Sequence, residues 1–311
     1  MAPHTTRTVS IPEGKKAKYR AAISAWKSRR THTLEEVQRL HGKLMHACHI
    51  VPRGRAYLTS LEAFLGIFHD RPHLPRSPPK HTSADLEWWE TLFQLPSIER
   101  PIPGPLIVAD IAAYSDASSK TGIGIVIGHR WRAWRLVPGW ESEGRAIGWA
   151  EALSFYFLAA TILASSHHEP CYRLYGDNRG VVEGWWKGCS KNRPTNDVFR
   201  LIHSLCNDTH TRLITQYVRS EHNPADGPSR GIYPPLSLLL PAVATPQQWA
   251  PFILDFDAPR SISEQRAAQS VHPPHPCPKP LRDHAYLQTV HARSRTSERI
   301  AEETLIQAES W

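Results

Sequence analysis

Apolar residues recur at helical spacing through the first hundred positions. Leu34, Val37, Leu40 and Leu44 share one face, and Thr33-Leu-Glu-Glu36 is a capping box at its start. Leu58, Leu61, Leu65 and Phe68 repeat the pattern over Tyr57–Phe68. Lys15–Arg30 and Ala84–Leu95, with Trp88 and Trp89, are two further helical stretches. After residue 105 the period changes. Leu106–Ser115 is a β-like run, Gly122–Ile127 alternates with isoleucines on one face, and Trp131–Val137 is a third strand. Short links between the three predict an antiparallel meander. A helix over Ile147–Ala160 follows, then a strand at Cys171–Tyr175. Helices are expected from Asn178 to Trp186 and over Asp197–Cys206, a strand at Leu213–Val218, and a short terminal element at Asn223–Arg230.

The central order is therefore βββ-α-β-α-α-β-α. Strands joined through helices run parallel and share a sheet. The expected fold class is α/β: a mixed five-stranded sheet with flanking helices, preceded by a small helical region. Two proline-rich stretches, Arg71–Lys80 and a second from Tyr233 through Pro280, punctuate the chain. They suggest a basic helical region at 1–100, a sheet domain at 101–232 and a proline-rich, partly disordered tail at 233–311. In that tail Leu236–Leu240 is an apolar docking segment, Pro273–Pro280 reads as disordered and Ser297–Ala308 as a short charged helix.

Charge and composition narrow the class. The net charge is +8, and residues 1–100 alone carry +7, which suits a polyanionic partner such as nucleic acid. No apolar run approaches the roughly 18–20 residues of a membrane span, and Met1–Ser10 lacks a secretory core. Five scattered cysteines suit a reducing compartment, so the expected location is nuclear or cytoplasmic rather than secreted. None of the 18 histidines pairs with a cysteine at zinc-finger spacing.

Four acids occupy informative places. Asp116 ends the first strand, Glu151 lies inside the first central helix, Asp177 directly follows the fourth strand, and Asp226 begins the terminal element. Glu151 shares a stripe with Ile147, Ser154 and Leu158, which puts a carboxylate on the face that packs on the sheet. An unpaired buried carboxylate is expensive and must find a cation or a proton. Asp116 and Asp177 lie at carboxyl ends of strands, where open α/β sheets build sites. Crowded carboxylates demand divalent cations, and an all-oxygen set favours Mg2+ or Mn2+. Each residue also has a plainer reading. Asp177 and Asp226 are good helix caps, Asp116 a good turn residue, and Glu151 a partner for Arg173 or Arg179.

Tyr114-Ser-Asp-Ala-Ser-Ser-Lys-Thr-Gly-Ile-Gly124, Trp149-Ala-Glu-Ala-Leu153, Tyr175-Gly-Asp-Asn178 and Asn223-Pro-Ala-Asp-Gly-Pro-Ser-Arg-Gly231 resemble the ribonuclease H-like domain of retroelement polyproteins. Leu40–Ala47 and Val51–Leu58 resemble the helical connection that joins a reverse transcriptase to it. The resemblance implies hydrolysis of the RNA strand of an RNA–DNA hybrid with two divalent ions held by Asp116, Glu151, Asp177 and Asp226. It also implies contacts to the hybrid from Asn178 and from a basic aromatic protrusion, Trp185-Trp186-Lys187 with Lys191 and Arg193. Arg130, Arg132 and Arg135 are a solvated edge or phosphate contacts. His222, four residues before Asp226, is the histidine nearest to the place of the family's mobile histidine. The palm of a polymerase is missing, so the resemblance is to a piece of a larger element. The alternative is a non-catalytic nucleic-acid-binding remnant.

Overall fold

The computed structural model describes residues 7–256 other than 70, 103, 105 and 165–168. The expectations for Pro273–Pro280 and Ser297–Ala308 lie outside the described residues.

A short strand β1 (Thr8–Ser10) leads into helices α1 (Glu13–Lys27), α2 (Leu34–Cys48), α3 (Thr59–Leu65) and α4 (Thr82–Phe93). Both halves of the capping box form at the head of α2: Glu36 N–H donates to Thr33 Oγ1, and Thr33 N–H donates to Glu36 Oε2 at 3.0 Å. Val37, Leu40 and Leu44 then point into a core with Ile23, Phe64 and Trp89. The proline-rich stretch after α3 turns at residues 72–74 and is then anchored, with His32 and Arg76 exchanging two backbone bonds of 2.9 Å. Strand β2 (Glu99–Pro101) returns antiparallel to β1 as a two-stranded ribbon, an element the pattern does not predict.

The second layer begins with the expected meander: β3 (Ala109–Ala117), β4 (Gly122–Ile127) and β5 (Arg130–Leu136), all antiparallel. Helix α5 (Ile147–Leu163) crosses one face and is buried almost all round. Strand β6 (Cys171–Gly176) runs parallel to β3. Helices α6 (Arg179–Lys187) and α7 (Arg193–Asp208) precede β7 (Arg212–Tyr217), which is parallel to β6. A single turn, α8 (Asp226–Ser229), lies on the opposite face of the sheet at β4.

The sheet has six strands, not the five expected from the sequence. Its order is β7-β6-β3-β4-β5-β8, and β8 (Ile253–Asp255) comes from the segment read as tail. The reason is an outer edge on β5 with a buried arginine beside it. Arg132 donates from Nη1 to Leu240 O and from Nη2 to Asp255 Oδ1, both at 2.7 Å. Leu240 N–H bonds Trp131 O at 2.7 Å, and Tyr233 stacks on Trp131. Arg132 is thus an internal tie, neither of the roles its strand pattern suggested. The apolar segment 236–240 does dock on the sheet. No described helix is long and apolar enough to cross a membrane.

The helical layer grips the sheet layer through α7. Ala56 O accepts from Asn196 Nδ2 (2.7 Å) and from Arg200 Nε and Nη2 (3.0 and 2.7 Å). Arg200 also reaches buried Asp85 Oδ1 on α4 at 2.7 Å and lies over the Tyr57 ring.

Candidate metal centre

β3 and β6 are adjacent and parallel, so their carboxyl ends open at the same end of the sheet. Asp116, next to last in β3, and Asp177, one residue past β6, emerge there. On α5 the residues around Glu151 are almost all apolar and face the sheet, which brings the Glu151 carboxylate to the same point. One oxygen from each of Asp116, Glu151 and Asp177 lies within 4.8 Å of the others.

The environment of two of these is hostile to charge. Asp116 and Glu151 are buried. Burial, with the negative charges of Asp116 and Asp177 beside it, pushes the Glu151 carboxyl up to about 9. Burial also raises Asp116 to about 7; a hydrogen bond from Ser229 pulls it back, and Asp177 and Asp226 push it up. Glu151 Oε2 is buried with no hydrogen-bond partner among the described residues. The basic partners considered for it are engaged elsewhere: Arg173 faces Asp110 at 3.5 Å, and Arg179 lies over the Tyr217 ring. An orphaned carboxylate oxygen in an all-oxygen cluster is what a hard divalent cation satisfies, so this donor set fits Mg2+ or Mn2+.

The local packing explains why the side chains stay there. Gly124 is the cross-strand partner of Asp116. A Cβ at Gly124 would lie 2.5 Å from Ser229 N and 2.6 Å from Ala225 O, so only glycine lets α8 descend onto β4. That descent brings Ser229 Oγ to Asp116 Oδ2 as a buried donor. Asn223 donates from Nδ2 to Ser115 O at 3.0 Å and pins the incoming loop beside Asp116. Ser220 Oγ donates to Asp177 Oδ2. Sequence reasoning assigned no role to Ser229, Ser220 or Arg230. The signal for two of them was present, since Ser229 and Arg230 stand three and four residues after Asp226.

Asp226 is placed differently from the other three. It opens α8 without capping it, and its Oδ1 accepts from Arg230 Nε at 2.7 Å. It lies outside the mutual 4.8 Å of the triad, yet its charge still raises Asp116. Asp177 is not the cap of α6 either. Asn178 is, with Oδ1 accepting from Val181 N–H, so the Asp177 carboxylate is left to the site. His222 is exposed in the short turn Ser220–His222.

The residues of the basic aromatic protrusion divide by contact. Trp185 stacks on His203 and donates to Leu213 O at 3.0 Å. Arg193 is turned to Asp197 and Asp85. Trp186 is 68% exposed while its indole N–H holds Thr215 O on edge strand β7. Lys187 and Lys191 are exposed, Lys187 beside Glu183.

No protein-family model and no curated protein matches the chain. Among solved structures it is similar to ribonuclease H1 from the halophilic archaeon Halobacterium salinarum NRC-1. That similarity is 13% identity over 40% of this chain and 97% of that one, with a TM-score of 0.28.

Proposed function

We propose that the chain is a divalent-metal-dependent endonuclease that cuts the RNA strand of RNA–DNA hybrids, as the nuclease piece of a retroelement polyprotein. The observation that carries this reading is Glu151, buried against two other carboxylates with an oxygen that no described protein group satisfies. The motif pattern around Asp116, Glu151, Asp177 and Asp226 supplies the choice of substrate.

In this reading Asp116, Glu151 and Asp177 hold Mg2+ or Mn2+, two ions when Asp226 joins them. The ions, when bound, supply the positive charge that makes a water nucleophilic and neutralises a leaving oxygen. The chain's own contribution is orientation. Ser229 holds one oxygen of Asp116 and Ser220 one oxygen of Asp177, which fixes the orientation of both carboxylates. Glu151 is buried on α5 and meets the two strand-end carboxylates from the helix side. Asn178, tied to the head of α6 beside Asp177, presents its amide to a sugar edge. The 2′-hydroxyl is the group by which such a surface separates RNA from DNA. His222, exposed in the turn four residues before Asp226, assists product release. Trp186, Lys187 and Lys191 extend the contact along the strand.

The test is cleavage of an end-labelled hybrid with Mg2+, native protein against Asp116→Asn, with duplex DNA and duplex RNA in parallel. The RNA strand of the hybrid alone should be cut, and only by the native protein. The alternative, a nucleic-acid-binding remnant without catalysis, draws support from one contact: Asp226 is engaged with Arg230 instead of with the other carboxylates. Hybrid binding without any Mg2+-dependent cut would favour it.

A further inference from the structure

Arg230 stands at the acidic centre beside Asp226 and has no part in holding a cation there. Its Nε is held by Asp226 Oδ1 at 2.7 Å. Its terminal Nη1 and Nη2 groups have no hydrogen-bond partner among the described residues, and the side chain is 57% exposed. The residue before it, Ser229, is locked to Asp116, so the guanidinium is carried on a turn whose position is set by the site itself. An arginine anchored by Nε presents the flat Nη1–Nη2 edge outward, and that edge matches two oxygens of a phosphate.

A cluster of carboxylates repels a polyanion, and a cationic side chain beside it offsets that repulsion. We propose that Arg230 is a phosphate-binding residue of this centre, positioned by Asp226, which grips a backbone phosphate of the strand being cut. The proposal rests on the nuclease reading and adds a contact to it. It assigns Asp226 two partners. Asp226 aims the guanidinium through Nε, and its carboxylate would also help to hold a cation at the centre. The position of the contact follows from the fold: α8 sits over Gly124 and Asp116, so the phosphate held by Arg230 lies on the β4 side of the centre, opposite α6.

The experiment uses the whole chain and a short RNA–DNA hybrid in Ca2+, which supports binding without cleavage, and compares native protein with Arg230→Gln and Arg230→Lys. Binding is measured across a salt series, and Mg2+ binding without nucleic acid is measured by calorimetry. Arg230→Gln should weaken hybrid binding about tenfold and flatten the salt slope by about 1, as expected for one lost phosphate contact. Arg230→Lys should restore the slope but only part of the affinity. Mg2+ binding without nucleic acid should stay equal or tighten, because a competing cation has been removed from Asp226. An unchanged salt slope in Arg230→Gln, or weakened Mg2+ binding in that variant, overturns the role of Arg230 while leaving the nuclease reading intact. Native protein that neither binds nor cuts the hybrid overturns both.

Discussion

Asp85 and Glu151 are both buried carboxylates on helices, and each has one oxygen with no hydrogen-bond partner among the described residues. Their surroundings differ in sign. Asp85 lies between the helical layer and α7, where Arg200 meets it at 2.7 Å and Arg193 at 4.0 Å. Glu151 lies at the carboxyl ends of the parallel strands, with no described cation in ion-pair distance and two more carboxylates beside it. A buried charge answered by an opposite charge holds two layers together. A buried carboxylate surrounded by its own sign lowers stability and is relieved by a proton or by a cation. The comparison separates a carboxylate that ties the layers together from the one we propose as functional, without reference to any motif.

Asp116→Asn is the largest break of the functional half. It should lower Mg2+-dependent cleavage by about a thousandfold, comparable to losing one essential electrostatic group. It should also raise the melting temperature of the metal-free protein, because a carboxylate repelled by its neighbours is gone. Single-turnover cleavage and a thermal melt in chelator check both. A rate loss accompanied by a lower melting temperature would assign Asp116 to the scaffold.

The structural half breaks with the opposite sign. Asp85→Ala leaves Arg200 buried against Ala56 and Tyr57 without its anion, and should cost about 3–5 kcal/mol. Urea unfolding measures this, and Asp85→Leu combined with Arg200→Leu should recover most of it. Glu151→Gln, by contrast, should stabilise the metal-free protein.

A pH series sharpens the contrast. Glu151 and Asp116 are raised in the folded chain to about 9 and about 7. Between roughly pH 4 and 9 the folded state therefore holds more protons than the unfolded state, and stability falls as pH rises. The native protein in chelator should lose several kcal/mol across that window, since each tenfold difference in proton affinity between the two states is worth about 1.4 kcal/mol. Glu151→Gln should flatten the upper part of the curve, and added Mg2+ should remove most of the slope. A stability maximum at pH 8–9 in chelator would contradict the burial of these groups.

Much of this contrast was readable before the fold was known. Asp116 and Asp177 stand where strands end, and Glu151 stands on the stripe of α5 that had to face the sheet, so their meeting followed from period and order. Strand β8 was not readable. Its three residues follow a proline-rich stretch and carry no alternation, and what recruits them is Arg132, whose strand pattern looked like a solvated edge. Asp85 escaped notice because its partner is 115 residues away on α7. Arg193 read as part of a protrusion, although its spacing to Asp197 is that of a helical ion pair. Pairings set by tertiary packing leave no local period, whereas carboxylates at element ends do.

The smallest effect tests how the chain holds the functional half in register. Ser229 Oγ donates to Asp116 Oδ2 and is fully buried, and this bond is the contact that lowers the Asp116 carboxyl against burial. Removing it in Ser229→Ala leaves the carboxylate with less support for its charge, so Asp116 binds its proton more tightly. A cation must displace that proton to bind. Mg2+ affinity near pH 7 should therefore fall by up to about tenfold, the equivalent of about 1.4 kcal/mol and near the low end for one hydrogen bond to a charged group. The deficit should shrink as pH rises past 8, where Asp116 is ionised with or without the serine. Calorimetric titration at pH 6.5, 7.5 and 8.5 follows this, and proton release on binding should be larger in the variant at the two lower values. A deficit that is the same at every pH would mean that Ser229 positions α8 rather than the charge on Asp116.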